Sequence, residues 1–143
     1  MPNPKKPRAH CLACGKEVQR AVDKFCDNRC QGEYQYKVYI ERWLAGLETG
    51  LKGRFFALSD NVRRWLRETH GEKCSQCGWA EQHPVTGRIP LQIDHIDGDV
   101  ANCRPANLRF LCPNCHSLTP TYGSLNRGNG RRPHHKGGYS TPG

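Results

Sequence analysis

The sequence predicts a small α+β protein whose fold depends on bound zinc rather than on one large apolar core. Its 143 residues are only 36% hydrophobic and include 15 glycines and 10 prolines. A composition so low in apolar side chains is typical of domains that need disulfides or structural metals. Nine cysteines are present, and eight of them form two sets of four. We therefore expect two small parts, each held by one zinc ion.

The cysteines are expected to be reduced thiols that bind metal. Disulfides form in oxidising compartments, and the first ten residues have a basic start without the apolar stretch of a signal peptide. No run of about 18 apolar residues is present, so no membrane span is expected. These features predict a cytoplasmic protein with metal-bound cysteines.

The charge balance indicates a polyanionic partner. The chain has 22 Lys and Arg against 13 Asp and Glu, a formal net charge of +9. Two four-thiolate zinc sites would each carry a net charge of −2, so that +9 − 4 leaves +5. Nucleic acid is the simplest partner for this excess, which weighs against a purely structural or protein-interaction zinc domain.

The N-terminal part is predicted to be a zinc module followed by a helix, over residues 11–50. Residues 1–10 contain three basic residues and no acid, so they are expected to form a disordered basic arm. The spacing C-x2-C-x11-C-x3-C then predicts a closed, structural zinc site. Its ligands are Cys11, Cys14, Cys26 and Cys30. Apolar residues recur at helical spacing from Gly32 to Leu47.

A second helix is predicted after a connector at residues 51–58. Ser59 or Asp60 can cap it. Its apolar face is formed by Val62, Trp65 and Leu66. Three arginines lie mostly elsewhere on this helix, at positions 63, 64 and 67. They either form a solvated face or contact phosphate, and the sequence leaves both readings open.

Two C-x2-C knuckles separated by 34 residues predict a second structural zinc site. Its ligands are Cys74, Cys77, Cys112 and Cys115. Cys103 has no partner in either set and is expected to be a free thiol. Residues 126–143 contain four Lys or Arg and no acid, which predicts a disordered basic tail.

The segment between these knuckles predicts a strand, a loop, a second strand and a short helix. Alternating apolar residues lead to a strand end at Asp94–His95, and Asn107 to Leu111 read as the second strand. Pro113 suits the first turn of the helix. A calcium loop is excluded, because Gly98 at position 6 would place Arg104 at position 12, where a Glu is required. The nearby Asp97 and Asp99 are interpreted as turn residues.

The pattern D-H-x11-N-x8-H resembles the HNH endonuclease family. It is formed by Asp94, His95, Asn107 and His116. The segment "LCPNCHSLTPTYG" resembles the zinc-bearing branch found in phages and bacteria, and the N-terminal four-cysteine module resembles one that often precedes it. The resemblance covers roughly residues 60 to 127. It implies a ββα-metal core in a nuclease domain at residues 59–125, and a bacterial host cytoplasm if the gene belongs to a phage.

The resemblance also implies roles for these residues. His95 would be the general base, and Asp94 with His116 would bind one divalent cation, Mg²⁺ or Mn²⁺. Asn107 would bridge the loop by hydrogen bonds and orient His95. The products from double-stranded DNA would carry a 5′-phosphate and a 3′-hydroxyl. Arg104 and Arg109 are candidate phosphate contacts, and the protein would act as a monomer or weak dimer.

Other interpretations of these residues stay open at this point. His116 follows a zinc cysteine and could itself bind zinc, although four thiolates already complete a tetrahedron. His95 could be only a polar residue at a strand end. The chief alternative function is a non-catalytic nucleic-acid-binding module with two zinc ions, which has no need of Asp94, His95 and His116 together.

Overall fold

The computed structural model describes residues 1–54 and 56–128, and most of the predicted basic tail lies outside these described residues. Apart from one helix of 17 residues, the elements are short, and they follow the predicted α+β order. They are α1 (Asn28–Leu44), β1 (Leu51–Lys52), β2 (Ala57–Leu58), α2 (Asp60–His70), β3 (Gln92–His95), β4 (Leu108–Leu111) and α3 (Pro113–Ser117). The small α+β class, with two four-cysteine groups, is confirmed.

The chain divides into two compact units, the first covering Met1–Arg42 and the second beginning at Trp43. In the first unit, a tight turn forms around the first cysteine pair. The Gly15 N–H donates to the Cys11 carbonyl at 2.9 Å, and the Cys11 N–H donates to the Lys16 carbonyl at 2.7 Å. Val18, which is fully buried, follows this turn.

Helix α1 begins at Asn28, earlier than the predicted Gly32, and ends at Leu44, before the predicted Leu47. Asp27 caps it, because the Asp27 side chain accepts a hydrogen bond from the Cys30 N–H at 2.7 Å. The first turn of the helix therefore carries the fourth cysteine of the first set.

The second unit contains α2, which is anchored by a cap and by an apolar stripe. The Ser59 hydroxyl accepts from the Asn61 N–H at 3.2 Å, and Val62 and Leu66 are fully buried. The helix lies against β4. The predicted connector contains a two-residue pairing of β1 with β2, a pairing too short to leave a periodic pattern in the sequence.

Strands β3 and β4 form an antiparallel pair that leads directly into α3. Cys112 caps α3, since its sulfur accepts from the Cys115 N–H at 3.3 Å. Leu111 is fully buried against the second cysteine set. This small core replaces the large apolar core that the composition does not support. Among the described helices, none has the length and apolar character needed to cross a membrane.

Candidate active site

The register of β3 and β4 divides the predicted site residues between two faces of the strand pair. Asp94 lies opposite Arg109, and His95 lies opposite Leu108. Successive side chains of a strand point to opposite faces. Asp94 and Arg109 therefore share one face, which we call the Asp94 face. The other face, called the His95 face, carries Ile93, His95, Leu108 and Phe110.

Asp94 is a buried carboxylate with a fixed cationic partner. The residue is only 4% exposed, and its Oδ2 accepts a hydrogen bond from Arg109 Nε at 2.8 Å. A buried carboxylate is costly unless it is paired with a charge and hydrogen-bonded. The cross-strand arginine supplies both, and it holds one carboxylate oxygen in a defined direction.

His95 is half-buried at the end of β3. Its Nε2 lies 3.6 Å from the sulfur of Cys103. Burial lowers the pKa of His95 below its ordinary value, although the charges of Asp94, Asp97 and Asp99 oppose this shift. The imidazole is thus held against a neutral neighbour in an environment that favours its uncharged form.

Cys103, the ninth cysteine, belongs to neither metal-binding set. It is buried, and burial raises the pKa of its thiol to about 11. Its carbonyl accepts from Trp43 Nε1 at 2.8 Å. Cys103 is therefore a neutral thiol at physiological pH, and it packs against the His95 ring.

Asn107 holds the loop between the two strands. Its Nδ2 donates to the Asp97 carboxylate at 2.9 Å and to the Asn102 carbonyl at 2.8 Å, while its Oδ1 accepts from the Asp97 N–H at 3.0 Å. Its carbonyl accepts from the Ile96 N–H at 2.9 Å. These bonds go to the residues that follow His95, so Asn107 fixes the backbone just beyond the imidazole.

The acidic side chains of this loop accept hydrogen bonds from other residues of the same loop. Asp97 accepts from the Asp99 N–H at 2.8 Å and from the Asn102 side chain at 2.6 Å. Burial opposes ionisation of Asp97, but hydrogen bonds from Asn102, Asp99 and Asn107 lower the net pKa of its carboxyl. Gly98 is in the left-handed region, and its carbonyl accepts from Asn126 Nδ2 at 2.7 Å.

His116 lies in α3, a short helix that packs against both β3 and β4. Its ring meets that of Tyr122 edge-on, with 5.5 Å between the ring centroids. His116 directly follows Cys115 of the second cysteine set. One helical turn thus carries a predicted zinc ligand and a predicted ligand of the catalytic cation. Arg104, the other candidate phosphate contact, is exposed just before a 3-10 turn at Pro105–Asn107.

The second cysteine set has the dimensions of a tetrahedral metal site. Its four sulfurs lie within 4.8 Å of one another, and Cys77 and Cys112 are 3.8 Å apart. Zn–S bonds of about 2.3 Å in a tetrahedron place sulfurs about 3.8 Å apart. Burial alone would raise the pKa of Cys74, but backbone hydrogen bonds lower it to about 6. A hydrogen bond with Cys112 raises the pKa of Cys115 to about 12, so zinc would have to displace the remaining protons of the set when it binds.

The first cysteine set is built in a similar way. The four sulfurs again lie within 4.8 Å of one another, with Cys14 and Cys26 3.6 Å apart. Backbone hydrogen bonds lower the pKa of Cys11 to about 6 against the effect of burial. Both sets could hold zinc. Among the described residues, these are the groups that offer three or more neighbouring metal ligands.

The structure places Asp94 and His95 at the end of β3, and Asn107 bonds the loop just beyond His95. Two further contacts of these residues were not predicted from the sequence. Arg109 pairs with Asp94, and Cys103 packs on His95. The first could have been found by aligning the two predicted strands, because an antiparallel register fixes which residues face each other. The second depends on the course of an irregular loop, for which the sequence has no periodic signal.

Comparisons with known proteins match the segment that contains this site. Residues 83–117 match a family model described as HNH endonuclease. The chain is also 44% identical over 59 residues to the H-N-H endonuclease F-TflIV of Escherichia phage T5. This alignment covers 39% of the present chain and 24% of the phage protein, so the chain spans about a quarter of that relative's length. No solved structure gives a significant match.

Proposed function

We propose that this chain is a metal-dependent endonuclease that hydrolyses phosphodiester bonds of double-stranded DNA, on the basis of the match of residues 83–117 to a family model described as HNH endonuclease. One observation carries the proposal. Strand β3 carries Asp94 and His95, the 3-10 turn just before β4 carries Asn107, and α3 carries His116. The family match at residues 83–117 spans all four. The proposed nuclease domain covers residues 59–125, and the proposed N-terminal zinc module covers residues 11–50.

The proposed seat for the divalent cation is formed by Asp94 and His116. A carboxylate oxygen and an imidazole nitrogen suit Mg²⁺ or Mn²⁺ when substrate phosphate and water complete the shell. Arg109 holds Oδ2 of Asp94, which leaves Oδ1 to face the cation. When bound, the cation would neutralise charge on the scissile phosphate and stabilise the leaving 3′ oxygen.

His95 is the proposed general base. Its Nε2 is against the Cys103 sulfur, so Nδ1 is the nitrogen assigned to take a proton from the attacking water. Burial favours the neutral imidazole that a base needs. In-line attack on the phosphorus would then release a 3′-hydroxyl and leave a 5′-phosphate on the other fragment.

Asn107 is a proposed positioning residue rather than a group that touches substrate. Its hydrogen bonds to Ile96, Asp97 and Asn102 fix the loop after His95. Arg104 is proposed to contact the DNA backbone, while Arg109 acts first on Asp94. The two cysteine sets are proposed to bind zinc, and two zinc ions per chain are expected.

The second candidate function is a two-zinc module that binds nucleic acid without cutting it. The net positive charge and the two cysteine sets support it equally well. It offers no reason, however, for a buried and paired Asp94 beside a half-buried histidine at one strand end.

Plasmid cleavage tests the choice between these functions. Wild type, His95→Ala and the control variant His70→Ala are incubated with supercoiled DNA and Mg²⁺ or Mn²⁺. Loss of a general base lowers the cleavage rate by about 10²- to 10⁴-fold, whereas His70, in the last turn of α2, can be replaced without that loss. Equal cutting by wild type and His95→Ala, or binding without cutting by wild type, contradicts the nuclease proposal.

A further inference from the structure

A groove of about 500 Å³ lies beside the site, between α2 and the strand pair. Its floor includes Ile93 and Phe110, and its rim includes three arginines, Arg63, Arg67 and Arg88. Among the described residues that line the groove, Glu72 alone is acidic. The groove therefore combines an apolar floor with a strongly basic rim.

The groove opens on the His95 face of the strand pair. Ile93 and His95 are two residues apart on one strand, and a strand rises about 3.3 Å per residue, so about 7 Å separates them along the strand. Successive phosphates of one DNA strand rise about 3.4 Å along the duplex axis. A DNA strand held at His95 would thus reach the groove within a few nucleotides.

Two of these arginines lie on α2 at positions where their charges destabilise the helix. Arg63 and Arg67 are exposed and four residues apart on α2, and like charges at this spacing repel each other. Neighbouring Arg64 is paired with Glu68 at 2.7 Å, whereas Arg67 meets Glu72 only at 3.8 Å. A bound anion would relieve the repulsion between the two groove arginines.

Arg88 joins them from an ordered turn rather than from a loose loop. The His83 ring nitrogen Nδ1 accepts from the Val85 and Thr86 N–H groups at 3.1 and 3.2 Å. The His83 N–H donates to the Arg88 carbonyl at 2.8 Å. The third cation of the rim is thus held by the backbone of a closed turn, which reduces the entropy lost when a ligand binds.

We propose that this groove, defined by Arg63, Arg67 and Arg88, binds backbone phosphates of the cleaved DNA strand a few nucleotides from the scissile bond. The proposal rests on the proposed function for the identity of its ligand. Arginine guanidinium groups recognise phosphate oxygens in a bidentate manner. The groove would set affinity and register on the duplex, while Asp94, His95 and His116 act on one phosphate.

The first test compares two double variants with the same change in net charge. Arg63→Gln/Arg88→Gln removes two groove cations, and Arg54→Gln/Lys73→Gln removes two exposed cations of the same unit that do not line the groove. Affinity for a duplex oligonucleotide is measured by fluorescence anisotropy over a range of salt concentrations, without Mg²⁺ or Mn²⁺.

The groove variant is expected to raise Kd on the order of tenfold at physiological salt and to reduce the slope of log K against log salt by about 2. The control variant should change both quantities much less. Thermal unfolding of both variants checks that the exposed substitutions leave the fold intact. Equal Kd values and equal salt slopes for the two variants would overturn the proposal, as would a wild type without affinity for duplex DNA.

A gain of affinity provides the second test. Glu72→Gln removes the acid of the groove and should lower Kd by about two- to fivefold, the size expected for one exposed charge interaction. Glu81→Gln, an exposed acid outside the groove, is the matched control. Tighter binding by both variants to the same extent would show a net-charge effect and contradict a specific groove.

These binding measurements separate the groove from the nuclease chemistry. If wild type binds DNA and the groove variant binds it weakly, the groove is supported even when no cutting occurs, and only the catalytic proposal fails. If wild type cuts DNA and the groove variant binds as tightly as its control, the catalytic proposal stands and the groove is rejected.

Discussion

The two four-cysteine sites share one local design but support different amounts of structure. In both, the glycine after the first pair donates to the carbonyl of the first cysteine at 2.9 Å, from Gly15 to Cys11 and from Gly78 to Cys74. The first cysteine is buried in each, and its pKa is lowered to about 6. The same short motif therefore forms the same turn in two unrelated stretches of chain.

The difference lies in what each site encloses. The second pair of the first site follows after 11 residues and opens α1, whereas 34 residues separate the two pairs of the second site. Those residues contain β3, the acidic loop and β4. The first site closes a small turn on a helix. The second closes the loop that carries the site chemistry, so its loss should cost far more.

The largest effect is expected when the first cysteine of each site is replaced. Cys74→Ser should remove one zinc and abolish cleavage. A structural zinc contributes about 10–16 kcal/mol to folding in zinc-finger peptides, which is comparable to the whole free energy of unfolding of a typical domain, about 5–15 kcal/mol. Cys11→Ser should also remove one zinc but leave cutting at saturating DNA within about tenfold of wild type. Zinc stoichiometry and plasmid cleavage measure both. Equal loss of cutting would break the distinction between the sites.

A smaller effect is expected from the apolar side chains beside each site. Leu111→Ala should lower the free energy of unfolding of the second unit by about 2–5 kcal/mol, since Leu111 is fully buried against three of its cysteines. Val18→Ala removes less buried volume and should cost the first unit less. Chemical denaturation followed by tryptophan fluorescence reports on the second unit, and far-UV circular dichroism on both. A larger loss for Val18→Ala would reverse the comparison.

The knuckle glycines should show a smaller and equal effect. Gly15 and Gly78 have φ values of 75° and 77°, with open space where a Cβ would lie. Alanine in this left-handed region costs about 1–2 kcal/mol, and the open space at both positions adds no further steric cost. Gly15→Ala and Gly78→Ala should therefore weaken zinc retention to the same degree in competition with a chromophoric chelator. A clear difference between them would mean that the two turns are not equivalent.

The smallest effect on metal content is expected at Cys103. Because this thiol belongs to neither set and packs on His95, Cys103→Ala should leave zinc at two per chain. Its raised pKa also predicts slow alkylation by iodoacetamide in the folded protein. Zinc analysis and mass spectrometry of labelled peptides check both points. Zinc falling to one would assign Cys103 to a metal site.

Much of the site could be predicted because its signals are local. Cysteine spacing depends only on short turns, and the strand alternation before Asp94 and the proline of α3 identify a ββα order. The contacts that the sequence did not reveal are non-local. Arg109 reaches Asp94 through strand register, and Cys103 reaches His95 through the course of an irregular loop. The groove arginines come from a helix and a distant turn, which only the packing of α2 brings together.

The position of His116 directly after Cys115 has a consequence for failure. Oxidation or loss of metal at the second cysteine set would displace α3 and remove the proposed ligand of the catalytic cation in the same event. A copy of the enzyme that has lost this metal would then be unable to cleave DNA, rather than cleaving it without specificity. For a proposed endonuclease, loss of the structural metal and loss of cleavage would therefore occur together.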